Sequence, residues 1–412
     1  MVQHTPPVPS TNARRALWQI AVAELLALSV WFSASVISPS LQNHFHVSAS
    51  NAIWLTSSVQ LGFVVGALIS ALTGIADRFN PRYVFVCSSL IGSVANILLI
   101  AVPWFGLAIF LRVVTGIAMA GVYPIAVQLL SGWFSQNRGR AVGILIGGLT
   151  LGSAIPHLIV LVTPSSAWTM VLWTSSLLAA TAAIIILMLP DAPAQVPRAR
   201  SRLSLIGFTQ VMRDREVMLA NFGYFGHMWE LYAMWAWIPT FLAAQFASRH
   251  VPHTVVLSTL AGFLVIGVFG AIGSVVAGFW ADRVGRTTVT IVAMTISGLS
   301  SLLIGLSFGT SLIASLGIAA IWGISVIADS AQFSAAVTEL APSHITGTAL
   351  TFQMATGFLI TMGSINLVGW MAHHVSWHWA FTVLAIGPAL GVVAMARLRH
   401  SPRAKMLAGG RG

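Results

Sequence analysis

Apolar stretches of about 20 residues recur twelve times along the chain, parted by short polar breaks. They fall at 17–38, 52–75, 82–102, 104–130, 140–163, 167–189, 218–243, 254–280, 287–308, 311–337, 347–371 and 377–397. A helix rises about 1.5 Å per residue, so each stretch matches a hydrocarbon core of roughly 30 Å. One break is long. From Pro190 to Glu216 it holds Pro190, Pro193 and Pro197, then Arg198, Arg200 and Arg202, and it reads as a linker between two halves. Within it, Leu205 to Met212 has apolar residues at helical spacing, which predicts a short helix lying on the membrane surface. The pattern predicts an all-α membrane protein of twelve transmembrane helices. A tail at 1–16 precedes a six-helix bundle at 17–189. The linker at 190–217 leads to a second bundle at 218–397 and a tail at 398–412.

The halves repeat. Glu24-Leu25-Leu26-Ala27-Leu28-Ser29-Val30-Trp31 matches Glu230-Leu231-Tyr232-Ala233-Met234-Trp235-Ala236-Trp237 at its Glu, first Leu, Ala and final Trp. Asp77-Arg78-Phe79 with Arg82 recurs as Asp282-Arg283-Val284 with Arg286. Two similarly wound halves are a signature of a membrane carrier whose site lies between them.

Composition agrees: 57% of residues are hydrophobic and 7% charged, against about 25% charged in soluble domains. The net charge of +11 raises nucleic acid as a partner, but its distribution excludes that class. All the Lys and Arg except Arg112 and Arg249 fall in the tails, the linker and the even-to-odd connections, on one side of the membrane. The positive-inside rule makes that side cytoplasmic, with anionic lipid headgroups as the partner of the charge. The chain is therefore expected in a plasma membrane, a bacterial inner membrane, with both termini cytoplasmic. The single cysteine, Cys87, excludes an internal disulfide and reads as a small buried filler. Five glycines of the eighth span, Gly262, Gly267, Gly270, Gly273 and Gly278, read as a packing face.

The loops after spans 2 and 8 read Gly74-Ile75-Ala76-Asp77-Arg78-Phe79-Asn80-Pro81-Arg82 and Gly278-Phe279-Trp280-Ala281-Asp282-Arg283-Val284-Gly285-Arg286. They resemble the loop pattern of the major facilitator superfamily (MFS). The first copy departs from it, with Asn80-Pro81 where Gly is usual. Arg112-Val113-Val114-Thr115-Gly116 in span 4 and Arg138-Gly139-Arg140 entering span 5 are similar to further patterns of that family. The resemblance implies two pseudo-symmetric six-helix bundles around a cavity lined by spans 1, 4, 7 and 10. It also implies that the loop residues Asp77, Arg78, Arg82, Asp282, Arg283 and Arg286 act as a conformational lock, the alternative being helix-end capping.

The ionisable residues deepest in the spans are Glu24, Arg112, Glu230 and Asp329, on spans 1, 4, 7 and 10. A carboxylate in hydrocarbon must pair, face water or hold a proton, so each is a candidate for substrate or proton binding. His227 precedes Glu230 by three residues, on one helical face. Trp31 and Trp237 follow their Glu by seven, offering an aromatic wall suited to an organic ligand or a cation. Asp329 opens a polar run with Gln332, which requires a wet cavity or internal partners. Arg112 keeps its proton, and it can bind a substrate carboxylate or hold an acidic side chain ionised. Tyr123 and Gln128 on span 4 and Gln353 on span 11 add hydrogen-bonding capacity, with His157 a weaker addition. The alternative for each is packing within a bundle.

His373, His374 and His378 cluster without a metal-binding pattern, so no metal or cofactor is expected. No Walker-type loop and no catalytic triad is present. The reading is a transporter and not an enzyme. It is expected to be proton-coupled and monomeric, and to carry a small organic solute by alternating access. Two alternatives remain: a proton-exchanging exporter of cationic or lipophilic compounds, and a transporter-like solute sensor. The short tails argue against the sensor.

Overall fold

The computed structural model describes residues 11–134, 138–163, 167–191, 205–342 and 344–412. These residues are helical and contain no strand. Span 1 is Thr11–Leu28, continued after a break by Ser33–Val36. Span 2 is Trp54–Thr73 and span 3 is Pro81–Leu98. Span 4 is Phe105–Met119 with Tyr123–Ser131. Spans 5 and 6 are Arg138–Val162 and Trp168–Leu187. Span 7 is the long helix Arg215–Ser248. Span 8 runs from Thr254–Gly262 through a π-helical turn, Phe263–Phe269, to Gly270–Val284. Span 9 is Arg286–Leu303, span 10 is Leu312–Ala328 with Ser330–Leu340, and span 11 is Thr346–His374. Span 12 starts at Trp377–Ala380 and ends in Ile386–Arg399. An even number of crossings puts both termini on one side of the membrane.

The short helix expected in the linker lies at Leu205–Arg213. Val211 is buried and Phe208 stands edge-on to Phe352 of span 11, while Met212 is exposed. Among the described residues, ten helices are long and apolar enough on their own to cross a bilayer, and spans 1 and 7 are not among them. Those two carry the repeated Glu segment. Span 7 buries Asn221, His227, Glu230 and Gln245, and such residues lower hydropathy because they face the protein interior instead of lipid.

Within each half, glycines let helices cross at backbone contact. A Cβ on Gly62 of span 2 would stand 2.0 Å from the Val113 carbonyl oxygen of span 4, and one on Gly116 of span 4 would stand 2.0 Å from that of Val59. The second half repeats this between spans 8 and 10. There a Cβ on Gly273 would stand 2.0 Å from the Ile324 oxygen and one on Gly323 would stand 2.3 Å from that of Val265. Lipid supplies no hydrophobic drive to pair helices, so close packing of small residues must do so. The halves themselves meet through span 2 against span 11 and span 5 against span 8. Gly267 and Gly270 of span 8 lie on Ala154 and Thr150 of span 5. At the far end from the termini, Asn366 donates to Ser57 across the halves (3.2 Å). At the termini end, Ser274 donates to the Gly143 carbonyl (3.4 Å).

The loop arginines bind within their own halves. Arg82 pairs with Asp191 at 2.8 Å, joining the start of span 3 to the end of span 6. Arg286 grips Glu339 with two bonds, 2.6 and 2.9 Å, and donates to Gln332 at 2.8 Å. Arg78 and Arg283 are exposed, and the Asp77 side chain lies outside the described set. The C-terminal segment docks beneath the second half. Arg403 binds both oxygens of Asp214 at 2.8 Å and the Leu340 carbonyl, Ala408 N–H donates to Glu339 at 3.0 Å, and Arg411 reaches the Asp282 carbonyl. Glu339 is thus part of a charge network.

Candidate substrate and proton site

Three helices break near the membrane middle, each beside a candidate residue. Span 1 unwinds at 29–32, next to Trp31. Span 4 is interrupted at 120–122, just before Tyr123, where Pro124 lacks the N–H that a continuous helix needs. Span 10 is interrupted at Asp329 itself. Irregular backbone at this depth is stable only where protein or a wet cavity satisfies it.

Arg112 satisfies the break in span 1. It is fully buried. Its Nη1 donates to the Val30 carbonyl (3.0 Å), Nη2 to that of Trp31, and Nε to that of Leu55 in span 2 (3.0 Å). Asn96 of span 3 is a longer acceptor at 3.4 Å, and it also takes the Ser33 hydroxyl proton at 2.6 Å. No carboxylate touches this guanidinium among the described residues. Its fork of donors replaces the hydrogen bonds that unwinding removes.

The break places Trp31 in a cavity of about 40 Å³ between the halves. Trp31, Phe63, Tyr123 and Leu149 of the first half line it, opposite Tyr224, Met228, Tyr232, Ser330, Ser334 and Phe358 of the second. Four rings touch across the divide. Trp31 stacks on Tyr232 at 5.7 Å and 27°, Phe63 lies 4.1 Å from Phe358, and Trp31 and Tyr232 each meet Phe358 at 5.7 and 5.2 Å. Phe32 and Trp235 extend this cluster away from the termini, and all of its members are buried there. The cavity is sealed on that side. Toward the termini its walls are only half-buried, at Tyr123, Ser330, Ser334 and Met354.

The carboxylates have unequal surroundings. Glu230 is buried, and each of its oxygens accepts one hydrogen bond, from Ser297 of span 9 (2.8 Å) and from the indole N–H of Trp322 (2.7 Å). Asp329 lies 2.8 Å from His227 Nδ1, joining spans 7 and 10, with both side chains buried. The His227 ring packs between Tyr224 and Phe333. Glu24 is buried too, yet neither of its oxygens has a hydrogen-bond partner. Its helix packs against Tyr123–Ser131, whose first residue stands on the cavity wall. Gln60 of span 2 is likewise buried with both side-chain polar atoms unpartnered.

The structure therefore gathers Trp31, Tyr123, His227 and Asp329 at or beside the cavity. It holds Glu230 inside the second half. Trp237 turns away, donating to the Ile365 carbonyl (2.8 Å) with its ring tilted 60° to that of Trp377. Gln332 serves Arg286, and Gln353 bridges Asn221 and Ser334 at 3.1 Å each. His157 of span 5 is buried against Gly262 of span 8.

A family model described as Major Facilitator Superfamily matches residues 20–365 and 258–411. The chain belongs to the Major Facilitator Superfamily. It is 24% identical over 375 residues to a protein of Bacillus subtilis (strain 168) provisionally named as the niacin/nicotinamide transporter NiaP, covering 88% of this chain and 89% of that one. It is also 24% identical over 247 residues to the 3-(3-hydroxy-phenyl)propionate transporter of Escherichia coli (strain K12), covering 58% and 60%. Among solved structures it is similar to the proton:xylose symporter XylE, with a TM-score of 0.73 at 14% identity over 93% and 96% of the chains. The chain is thus a multi-pass MFS secondary transporter, with the fold its sequence pattern and loop motifs predict.

In this MFS transporter, Phe63 and Phe358 of the cavity were missed by sequence reasoning, because phenylalanine in an apolar span carries no signal. Tyr224 and Tyr232 did leave one. The chain has only four tyrosines, and three of them line the cavity. A hydroxyl placed so deep needs a polar or wet neighbour. Gln60 left the same kind of trace, a lone amide inside an apolar run.

Proposed function

We propose that this protein moves a small organic solute across a bacterial inner membrane, coupled to protons, by alternating opening of the central cavity. The observation that carries the reading is Glu24. Both its oxygens are buried and unpartnered, on a helix that packs against the one carrying the cavity-wall Tyr123 and that breaks one turn later. A buried carboxylate without partners is stable only with its proton on. When the cavity opens and water reaches it, the proton can leave. That cycle is what coupling requires. Glu230 is less suited to it, because Ser297 and Trp322 already give its oxygens two donors. The His227–Asp329 pair is a second element of the same coupling, since solute binding at Ser330 or Tyr224 would disturb it. The relatives named for niacin or nicotinamide and for a hydroxyphenylpropionate support a ring-bearing organic solute. Monomeric action fits a site built from a single chain.

The test is solute-driven proton flux in vesicles reconstituted with the purified protein. Glu24→Gln is expected to abolish proton movement while leaving solute exchange. Asp329→Asn should reduce both. Unchanged proton flux in Glu24→Gln would overturn the coupling assignment.

A further inference from the structure

The rings that line the cavity come with no cation. None of its lining residues is Lys, Arg or His. The cation nearest in sequence to the broken helices, Arg112, spends its donors on the carbonyls of Val30, Trp31 and Leu55. His227 stands against Asp329 at 2.8 Å. What the cavity offers instead is ring faces, a buried indole N–H on Trp31 with no partner, and Tyr123 on a helix packed against that of the unpartnered Glu24. An anion brought here would meet the negative faces of Trp31, Tyr232 and Phe358 and find no countercharge. A neutral or cationic ring would stack on the same faces, gaining cation–π attraction where charged.

We infer that the cavity takes a flat, ring-bearing solute without negative charge, its ring inserted between Trp31 and Tyr232 and its polar N–H or cationic group turned to the Tyr123–Glu24 side. The unpartnered indole N–H of Trp31 is left to bond an acceptor on that solute, such as a ring nitrogen or an amide oxygen. The cavity of about 40 Å³ holds a few waters and no ring. The solute must therefore part the contacts between Trp31 and Tyr232 and between Phe63 and Phe358, which join opposite halves. A bound ring then replaces those contacts and bridges the halves. The relatives named for different ring solutes do not decide the charge; the lining does. The inference rests on the transporter reading for its site, but not on proton coupling.

Three probes of one size and shape separate the cases: benzamidine (cationic), benzamide (neutral) and benzoate (anionic), titrated by calorimetry into the purified full-length protein at pH 7. Benzamidine and benzamide are expected to bind, with benzoate at least tenfold weaker than either. Glu24→Gln should weaken benzamidine about tenfold and leave benzamide within twofold. Trp31→Leu should weaken both, and Phe358→Leu serves in its place if that variant fails to fold. Benzoate binding as tightly as the others, no binding by any probe, or binding unaffected by the ring variants overturns the inference. Calorimetry is blind to proton flux, so a failure of coupling in vesicles leaves this result standing, and the converse also holds.

Discussion

Arg112 shows how one residue can be conspicuous in sequence for one reason and act for another. A guanidinium in a span suggests a counter-ion for a solute or for a buried acid. Its geometry is that of a backbone brace, since its best bonds go to three carbonyls on two neighbouring helices. The sequence could not reveal this, because the unwinding at 29–32 has no Pro or Gly to announce it. The carboxylates teach a similar lesson. Glu24 and Glu230 are matched by the repeat, but their partners are set by Ser297 and Trp322 on other helices, which no local pattern reports. Removing the brace has a definite cost. Arg112→Met leaves the Trp31 carbonyl of the unwound turn without a donor and takes one of two donors from Val30, at ~1–3 kcal/mol for a buried carbonyl left unpaired. The expected total is at least about 1 kcal/mol, read as a lowered thermal unfolding temperature of the purified protein. Arg112→Lys should recover little of it, because one ammonium cannot reach carbonyls on both helices in the fork geometry. Full stability in Arg112→Met would remove the brace from the account.

At the scale of elements, the spans were legible because length and hydropathy report the bilayer directly. Most observed helix ends fall close to the apolar runs, and the linker helix at Leu205–Arg213 lies where helical spacing put it. The break in span 1 was not legible, since Arg112 of span 4 satisfies it, and the break at Asp329 in span 10 has no adjoining Pro or Gly to announce it. The glycine crossings fall between these cases. The sequence marks the glycines but not which face of which helix they meet. Gly62 with Gly116 and Gly273 with Gly323 form the same crossing in both halves, so the repeat is expressed as packing as well as sequence. Gly116→Ala puts a methyl 2.0 Å from the Val59 oxygen. The two spans must move apart, an overpacking cost of ~1–3 kcal/mol or more. Gly317→Ala, on span 10 with nothing within 4 Å, is the control. The first should lower the unfolding temperature by several degrees and the second should leave it level or slightly raised. Equal behaviour of the two would refute the close-crossing account.

At the scale of the whole molecule, the halves are held together differently at the two ends. Far from the termini, buried rings of spans 1 and 7 fill the centre, and the Asn366–Ser57 bond joins spans 11 and 2 at the flank. Toward the termini the strongest charged contacts, Arg82–Asp191 and Arg286–Glu339, stay within one half, and so do the bonds of the docked C-terminal segment. Each half is therefore braced as a rigid unit on the termini side, and motion between the halves falls to the seam. Alternating access requires the far side of that seam to open, which must break Asn366–Ser57 and separate Trp31 from Tyr232. A covalent link there should stop the cycle without disturbing either half. In a Cys87→Ser background, Ser57→Cys with Asn366→Cys is expected to form a disulfide under mild oxidation. Solute flux in vesicles should fall to background and return on reduction. Each single cysteine should leave flux within about twofold of the parent, because neither blocks the seam. Full flux through the cross-linked protein would mean that the far side does not open at spans 2 and 11, and the rings of spans 1 and 7 would then have to part without them.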